Sequence, residues 1–300
     1  LERRTFPGIM TPPVECISEI PAFDKIDLSA HSLYGTIGAF YYFKPHGTRF
    51  ATVLSARGCR AQCTFCSVRS FNGLGVRRRP VASVIEELEI LRDEYGVKHI
   101  MWLDDDLLKN HDETISLFNE MVRRDLGLTW DATNGVLAAS CTEEVIAAAE
   151  ESGCIALNIG MESGNPEILK SVKKPADVGT LLRAAEVLRG HEKIHASVFL
   201  MLGFPNETKA MIFDTINVAL EMGLDWYRIA TLQPLPNTPI YDSMVAQGLI
   251  EPAGSHDLRF NLGAYGKQAR IEQGDEMTSR NFNDAFTSIP MEAVPTKEQL

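Results

Sequence analysis

The sequence predicts an α/β fold, a partial (βα)6 TIM-like barrel of parallel strands with helices outside, and three observations carry that expectation. Short β-branched and apolar runs recur near residues 51–56, 98–104, 129–134, 154–160, 195–202 and 226–232. Nearly every segment between them has helical periodicity, and strand then helix, repeated about six times, is the pattern of a parallel sheet. Polar and glycine-rich groups also gather where each run ends. A cysteine loop follows the first run, Asp104-Asp105-Asp106 the second and Asn134 the third; Gly160-Met161-Glu162-Ser163-Gly164 follows the fourth, Gly203-Phe204-Pro205-Asn206-Glu207 the fifth and Gln233-Pro234-Leu235-Pro236 the sixth. A parallel sheet can be open or closed, and barrel enzymes place their chemistry on that C-terminal rim.

The helices are legible in order. After the cysteines, Val81, Val84, Ile85, Leu88, Leu91 and Tyr95 recur at three- and four-residue steps, and Gly96 ends the run. Thr142 is placed as an N-cap, with Glu143 and Glu144 in the first turn complementing the helix dipole and Gly153 closing the helix. Val178, Leu181, Leu182, Ala185 and Leu188 make a third stripe ending at Gly190, and Ile212, Ile216, Ala219 and Leu220 a fourth ending at Gly223. Residues 1–48 are rich in proline and aromatics without periodicity, and residues 251–300 are polar and weakly patterned. The expected organisation is therefore an N-terminal linker or extension (1–48), a core barrel (49–250) and a C-terminal extension (251–300). Arg77, Arg78 and Arg79 read as a solvated helix entrance. Trp102, Trp130 and Trp226 fall in strand runs and read as core; His195 reads as a hydrogen-bonded strand residue, with the other histidines isolated.

Composition sets the outer bounds. The 300 residues are 45% hydrophobic and 23% charged, ordinary for a globular chain, with a formal charge of −11. That balance repels nucleic acid and anionic lipid over most of the surface, so a generic phosphate-backbone binder is not expected. The most apolar stretch, Ala196 to Phe204, is far shorter than the roughly 20 residues that span a bilayer, so no membrane span is expected. The start at Leu1 lacks the apolar core of a secretory signal and reads as a piece of a longer polypeptide.

Six cysteines are too few for a disulfide scaffold, and three crowd into eight residues as Cys59, Cys63 and Cys66. This points to metal in a reducing, cytoplasmic compartment. Neither a helix face nor a strand face aligns all three, so they need a loop curled around one compact centre. Structural zinc wants four ligands, and the loop has no fourth Cys and no His. A cubane iron–sulfur cluster held by three cysteines leaves one iron without a protein ligand, which suits a site where a small molecule binds the metal directly. Cys16, Cys141 and Cys154 match no second pattern and read as small buried or partly buried thiols.

The segment Arg57-Gly58-Cys59-Arg60-Ala61-Gln62-Cys63-Thr64-Phe65-Cys66 resembles the signature of the radical S-adenosylmethionine (SAM) superfamily, including the aromatic residue before the last cysteine. Trp102-Leu103-Asp104-Asp105 resembles its acidic second-strand motif and Gly160-Met161-Glu162-Ser163-Gly164 its fourth-strand ribose motif. Gly203-Phe204-Pro205-Asn206-Glu207-Thr208 and Pro234-Leu235-Pro236-Asn237-Thr238-Pro239 are similar to two family turns, with Asn where glycine is usual; Asn visits the left-handed region more readily than most residues. The resemblance covers about residues 50 to 250. It is nearest the branch shared by cobalamin-binding radical SAM enzymes, coproporphyrinogen dehydrogenases and methylthiotransferases. Ile20-Pro21-Ala22-Phe23-Asp24-Lys25-Ile26-Asp27, followed by Tyr34, resembles the linker between a cobalamin domain and the barrel. No Asp-x-His-x-x-Gly stands in the chain, so any cobalamin would be held by a domain absent from it.

The resemblance implies that Cys59, Cys63 and Cys66 hold a 4Fe-4S cluster whose open iron is chelated by SAM, and that SAM cleavage starts radical chemistry (methylation, cyclisation or oxidation) on an organic metabolite. It implies Asp104 or Asp105 at the methionyl amine, Glu162 at the ribose hydroxyls, Phe65 shielding the cluster on the adenine side, and Gly160 and Gly203 as further cofactor-binding positions. An electron donor such as flavodoxin or ferredoxin is implied as partner. Two other classes stay open: a non-catalytic iron–sulfur or zinc protein on a barrel scaffold, and an RNA methylthiotransferase, against which the −11 charge and the unclustered Cys16 argue.

Overall fold

The computed structural model describes residues 18–34 and 47–250; Cys16 and the proposed C-terminal extension lie outside them. Six strands, β1 (Phe50–Val53), β4 (His99–Trp102), β5 (Thr129–Val136), β6 (Cys154–Glu162), β7 (His195–Leu202) and β8 (Trp226–Thr231), form one all-parallel sheet in that order. Every neighbour in the sheet is the next of these strands in the chain, so each crossover is a single turn of a barrel wall. The α/β partial barrel expected from the alternation is the observed architecture. One element escaped the pattern: β2 (Ala56–Arg57) and β3 (Arg77–Arg78) pair antiparallel and close the loop that carries the cysteines.

The crossovers are α3 (Val81–Asp93), α4 (His111–Arg123), α5 (Glu143–Glu151), α6 (Pro166–Ser171), α7 (Val178–Arg189) and α8 (Lys209–Met222), and α9 (Pro239–Ala246) follows β8. Their entries are capped by side chains: Thr142 accepts from the Val145 amide, as expected, and Asn110, Asn165, Asp177, Thr208 and Thr238 do the same for their helices. Each such cap stabilises its helix by about 1 kcal/mol. Gly223 ends α8 in the left-handed conformation, φ 57°.

Strand alternation sorts the side chains into two faces. Val53, Ile100, Trp102, Trp130, Leu157, Ile159, Val198 and Leu200 point outward into one core with Val84, Leu88, Phe118, Val145 and Leu181 of the helices. Trp130 packs between Phe118, with ring centroids 4.9 Å apart, and Trp102, at 6.4 Å. The inward face carries polar pairs. His99 Nε2 lies 2.8 Å from Asp131 Oδ2, both fully buried, and Ser197 donates to Asn158.

At several single residues the structure differs from the sequence expectation. Trp226 is 60% exposed and not core, because β8 is an edge strand with a neighbour on one side only. The arginine run is not solvated: Arg78 donates to the Leu107 carbonyl and to Thr114 Oγ1, and Arg79 to Glu87, a buried carboxylate. Two of the other histidines are isolated only in sequence: besides the His99 pair, His191 lies 3.2 Å from Glu143 and 3.3 Å from Glu150. Cys141 and Cys154 are buried thiols, as read.

Candidate functional site

The cysteine loop is built by close backbone approach. Gly58 takes a φ of 90° directly after β2, and a Cβ there would lie 2.2 Å from the Gly75 carbonyl oxygen, so only glycine lets β2 and the return strand β3 meet. The loop then rests on the far side of the barrel, with the Thr64 amide donating to the Val172 carbonyl and the Ile240 amide to the Thr64 carbonyl. Phe65 packs on Phe204, ring centroids 6.0 Å apart, which ties the loop to the turn after β7.

Cys59, Cys63 and Cys66 are thereby brought to the wall of one cavity of about 300 Å3 at the C-terminal rim, together with Phe65, Asp105, Gly160 and Glu162. No disulfide joins the three thiols. A larger depression of about 440 Å3 lies on the surface of α4 alone and holds no such grouping. Among the described residues, no three His, Cys, Asp or Glu side chains close on a single metal ion, these cysteines included. Burial pushes the Cys59 and Cys63 thiols up to about 11, and that of Cys66 upward as well, so without metal all three are protonated near neutrality.

Asp104, Asp105 and Asp106 leave the end of β4 side by side and part at once. Asp104 is buried and accepts from the Ser55 amide (2.9 Å) and hydroxyl (2.6 Å), away from the cavity; burial raises its carboxyl to about 6, with Ser55 opposing. Asp105 lines the cavity and gathers the loop, accepting from the Gly58 amide at 3.0 Å and from Asn72 Nδ2 at 2.6 Å. Asp106 pairs with Arg60, Nε to Oδ2 3.2 Å. Of the two aspartates read as candidates for one role, the structure therefore brings only Asp105 to the cavity.

Glu162 sits where β6 loses register with β7, in the left-handed region at φ 65°, a conformation that costs a non-glycine residue energy and turns its carboxylate into the barrel mouth. There it meets Lys174, Nζ to Oε1 2.9 Å, both largely buried. Burial works against the Lys174 ammonium, but Glu162 and the Cys63 thiol outweigh it and raise its pKa. A Cβ on Gly160 would stand 2.9 Å from Lys174 Nζ and 3.0 Å from Glu162 Oε1, so the glycine leaves room for this pair. Gly203 does not line the cavity: its amide donates to Glu207 at 2.6 Å in the turn beneath Phe65. Lys174 was not singled out in the sequence, where it is the second of two lysines before a proline, nor was Phe199, hidden in a strand apolar on both faces.

A family model described as the radical SAM superfamily matches residues 53–219. Over 208 residues the chain is 31% identical to an uncharacterized methyltransferase of Pyrococcus horikoshii, a match covering 69% of this chain and 45% of that protein. It is 28% identical over 218 residues to the cytidylyl-2-hydroxyethylphosphonate methyltransferase of Streptomyces wedmorensis, covering 70% of this chain and 40% of that one. The chain thus spans under half the length of these relatives. In fold it is similar to the radical S-adenosylmethionine methyltransferase TsrM from Kitasatospora setae, solved with tryptophan substrate and a SAM analogue. That likeness has a TM-score of 0.59 at 20% identity over 66% of this chain and 39% of the other.

Proposed function

The chain belongs to the radical SAM superfamily, and on that premise we propose that it is the catalytic barrel of an enzyme that cleaves SAM reductively to modify a small organic molecule, by methyl transfer as the names of its relatives suggest. The observation that carries this reading is three free thiols on the wall of the same cavity as Asp105 and the Glu162–Lys174 pair. The donor set suits a 4Fe-4S cluster better than zinc, which needs four ligands on one ion, whereas a cubane is held by cysteines that each take a different iron.

When bound, the cluster supplies one-electron reduction of SAM and so the 5′-deoxyadenosyl radical chemistry of the superfamily. The protein's own part is placement and charge. Cys59, Cys63 and Cys66 give up their protons on loading and become thiolates, and the buried Lys174 ammonium stands by as their counter-charge. Asp105 is the carboxylate for the methionyl amine of SAM, and Glu162 presents its carboxylate to the ribose hydroxyls. Phe65 excludes water on the adenine side, and Gly160 keeps the rim open; Gly203 acts at one remove, through the turn that supports Phe65.

In the same reading residues 49–250 are the core barrel, 1–48 the linker from a cobalamin-binding domain outside this chain, and 251–300 an appendage. A flavodoxin or ferredoxin supplies electrons, and the setting is the reducing cytoplasm; no described helix is long and apolar enough to cross a membrane. The test is anaerobic reconstitution. About four irons and four sulfides per chain are expected, with 5′-deoxyadenosine and methionine formed from SAM on reduction. Stoichiometric zinc without sulfide in protein purified without oxygen would overturn the reading.

A further inference from the structure

The segment that carries the cysteines differs in charge from the rest of the chain. From Leu28 to Ile85 there are eight Lys and Arg and no Asp or Glu, in a chain whose formal charge is −11. Three of these cations are neutralised locally, Arg60 by Asp106, Arg78 by Glu113 and Arg79 by Glu87. Three are not. Arg57 is exposed and has no carboxylate partner among the described residues, Arg69 donates to the Ala61 carbonyl, and Arg77 donates to the Asn72 carbonyl. Arg57 and Arg77 flank, and Arg69 lies within, a lobe, residues 67–76, whose helix α2 (Val68–Asn72) buries no residue and whose tip presents Phe71 at 84% and Leu74 at 70% exposure. Scattered single apolar residues on a surface need no explanation, but two large ones on one short lobe beside uncompensated arginines, of which Arg57 is exposed, have the make-up of an interface centre with a charged rim.

The lobe reaches the cavity directly, since Val68 and Arg69 line its wall. Asn72, next to Phe71, donates at 2.6 Å to Asp105, which shares the cavity wall with Cys66. We infer that Phe71, Leu74 and Arg57 form the docking surface for a small acidic electron-carrier protein, whose carboxylates meet the arginines while an apolar patch covers Phe71 and Leu74. This rests on the function proposed above and adds where the donor binds. A flavodoxin in its anionic hydroquinone form loses one electron there, becoming the neutral semiquinone, and the centre held by the three cysteines gains it. Local positive charge on an otherwise acidic protein has a direct use here, since two acidic proteins repel except where one of them reverses sign.

The test compares wild type with Phe71→Ser/Leu74→Ser and with Arg57→Glu in reconstituted full chain, using a labelled bacterial flavodoxin as probe. Each variant is expected to raise the flavodoxin Kd at least tenfold, and the wild-type Kd to rise steeply between low and physiological salt. SAM cleavage driven by dithionite, which needs no docking, is expected to be unchanged, and this also reports that each variant is folded and loaded. Equal flavodoxin affinity in all three proteins would overturn the inference. So would displacement of flavodoxin by an RNA oligonucleotide that binds more tightly, since the patch would then be a nucleic-acid site. Absence of dithionite-driven cleavage in wild type would instead overturn the proposed function, while the Kd series would still decide the docking surface.

Discussion

The two ends of the barrel's inner face both hold buried polar groups, and they differ in whether those groups face a cavity. At the N-terminal end His99 and Asp131 satisfy each other at 2.8 Å, His99 Nδ1 lies 3.0 Å from Thr129 Oγ1, and Asn158 accepts from Ser197. At the C-terminal end three protonated thiols, Asp105 and the Glu162–Lys174 pair face a cavity of about 300 Å3. A closed pair supports the fold, because removing one partner strands the other in low dielectric. At the open end Asp105, Glu162 and Lys174 also have partners, but they line a cavity beside three gathered thiols, a grouping that folding alone does not reward, which is the physical reason for reading function at one end and support at the other.

That contrast can be broken most sharply at the cysteines. Replacing Cys59, Cys63 or Cys66 by Ala should abolish iron and sulfide uptake, while Cys141→Ala should leave it intact. Iron and sulfide analysis after reconstitution decides this, and retention of a full cluster by any of the first three variants would place its ligands elsewhere. The closed end should show the opposite profile. Asp131→Ala is expected to cost about 3–5 kcal/mol of stability, as for other broken buried pairs, without changing cluster content per folded molecule; denaturant titration with iron analysis separates the two readouts.

Asp104 lies between the two cases, a rim carboxylate used for support. Its pKa is raised by burial from 3.8 to about 6, so its contribution to stability is fully present below about pH 3.8 and is lost as pH rises through 6. Raising the pH from 4 to 7 should therefore lower the unfolding free energy of wild type by about 2 kcal/mol relative to Asp104→Asn. An equal difference in both proteins would mean that Asp104 does not titrate in that window. The smallest expected effects are at the open end: Asp105→Asn and Glu162→Gln should each weaken SAM binding by roughly 1–3 kcal/mol with the cluster retained. Calorimetric titration of loaded protein measures this, and unchanged affinity in both variants would move the SAM pocket off these carboxylates.

Much of the fold was legible because its signals are local. Six strand runs, the Thr142 cap and the Gly223 stop were read within one to three residues of their observed places, since period-2 and period-3.6 patterns and caps depend only on near neighbours. The β2–β3 ribbon was missed because two-residue strands leave no period to see, and its cause is the contact between Gly58 and Gly75, seventeen positions apart. Trp226 was misplaced for a related reason. An apolar run reads as buried whether its strand has one neighbour or two, and only the sheet order puts β8 at the edge.

At the site the division is similar. The spacing of Cys59, Cys63 and Cys66 is itself the chemistry of a three-cysteine loop, so the sequence alone determined which residues hold the metal centre in the proposed function and where along the alternation they lie. Tertiary structure alone decided which of three adjacent aspartates faces the cavity, that Lys174 rather than any arginine pairs with Glu162, and that His99 meets Asp131. Those partners lie twelve to forty-nine positions apart, and the sheet register and the bulge at Gly160 and Glu162 set their meeting, a long-range geometry on which no local pattern in the chain reports.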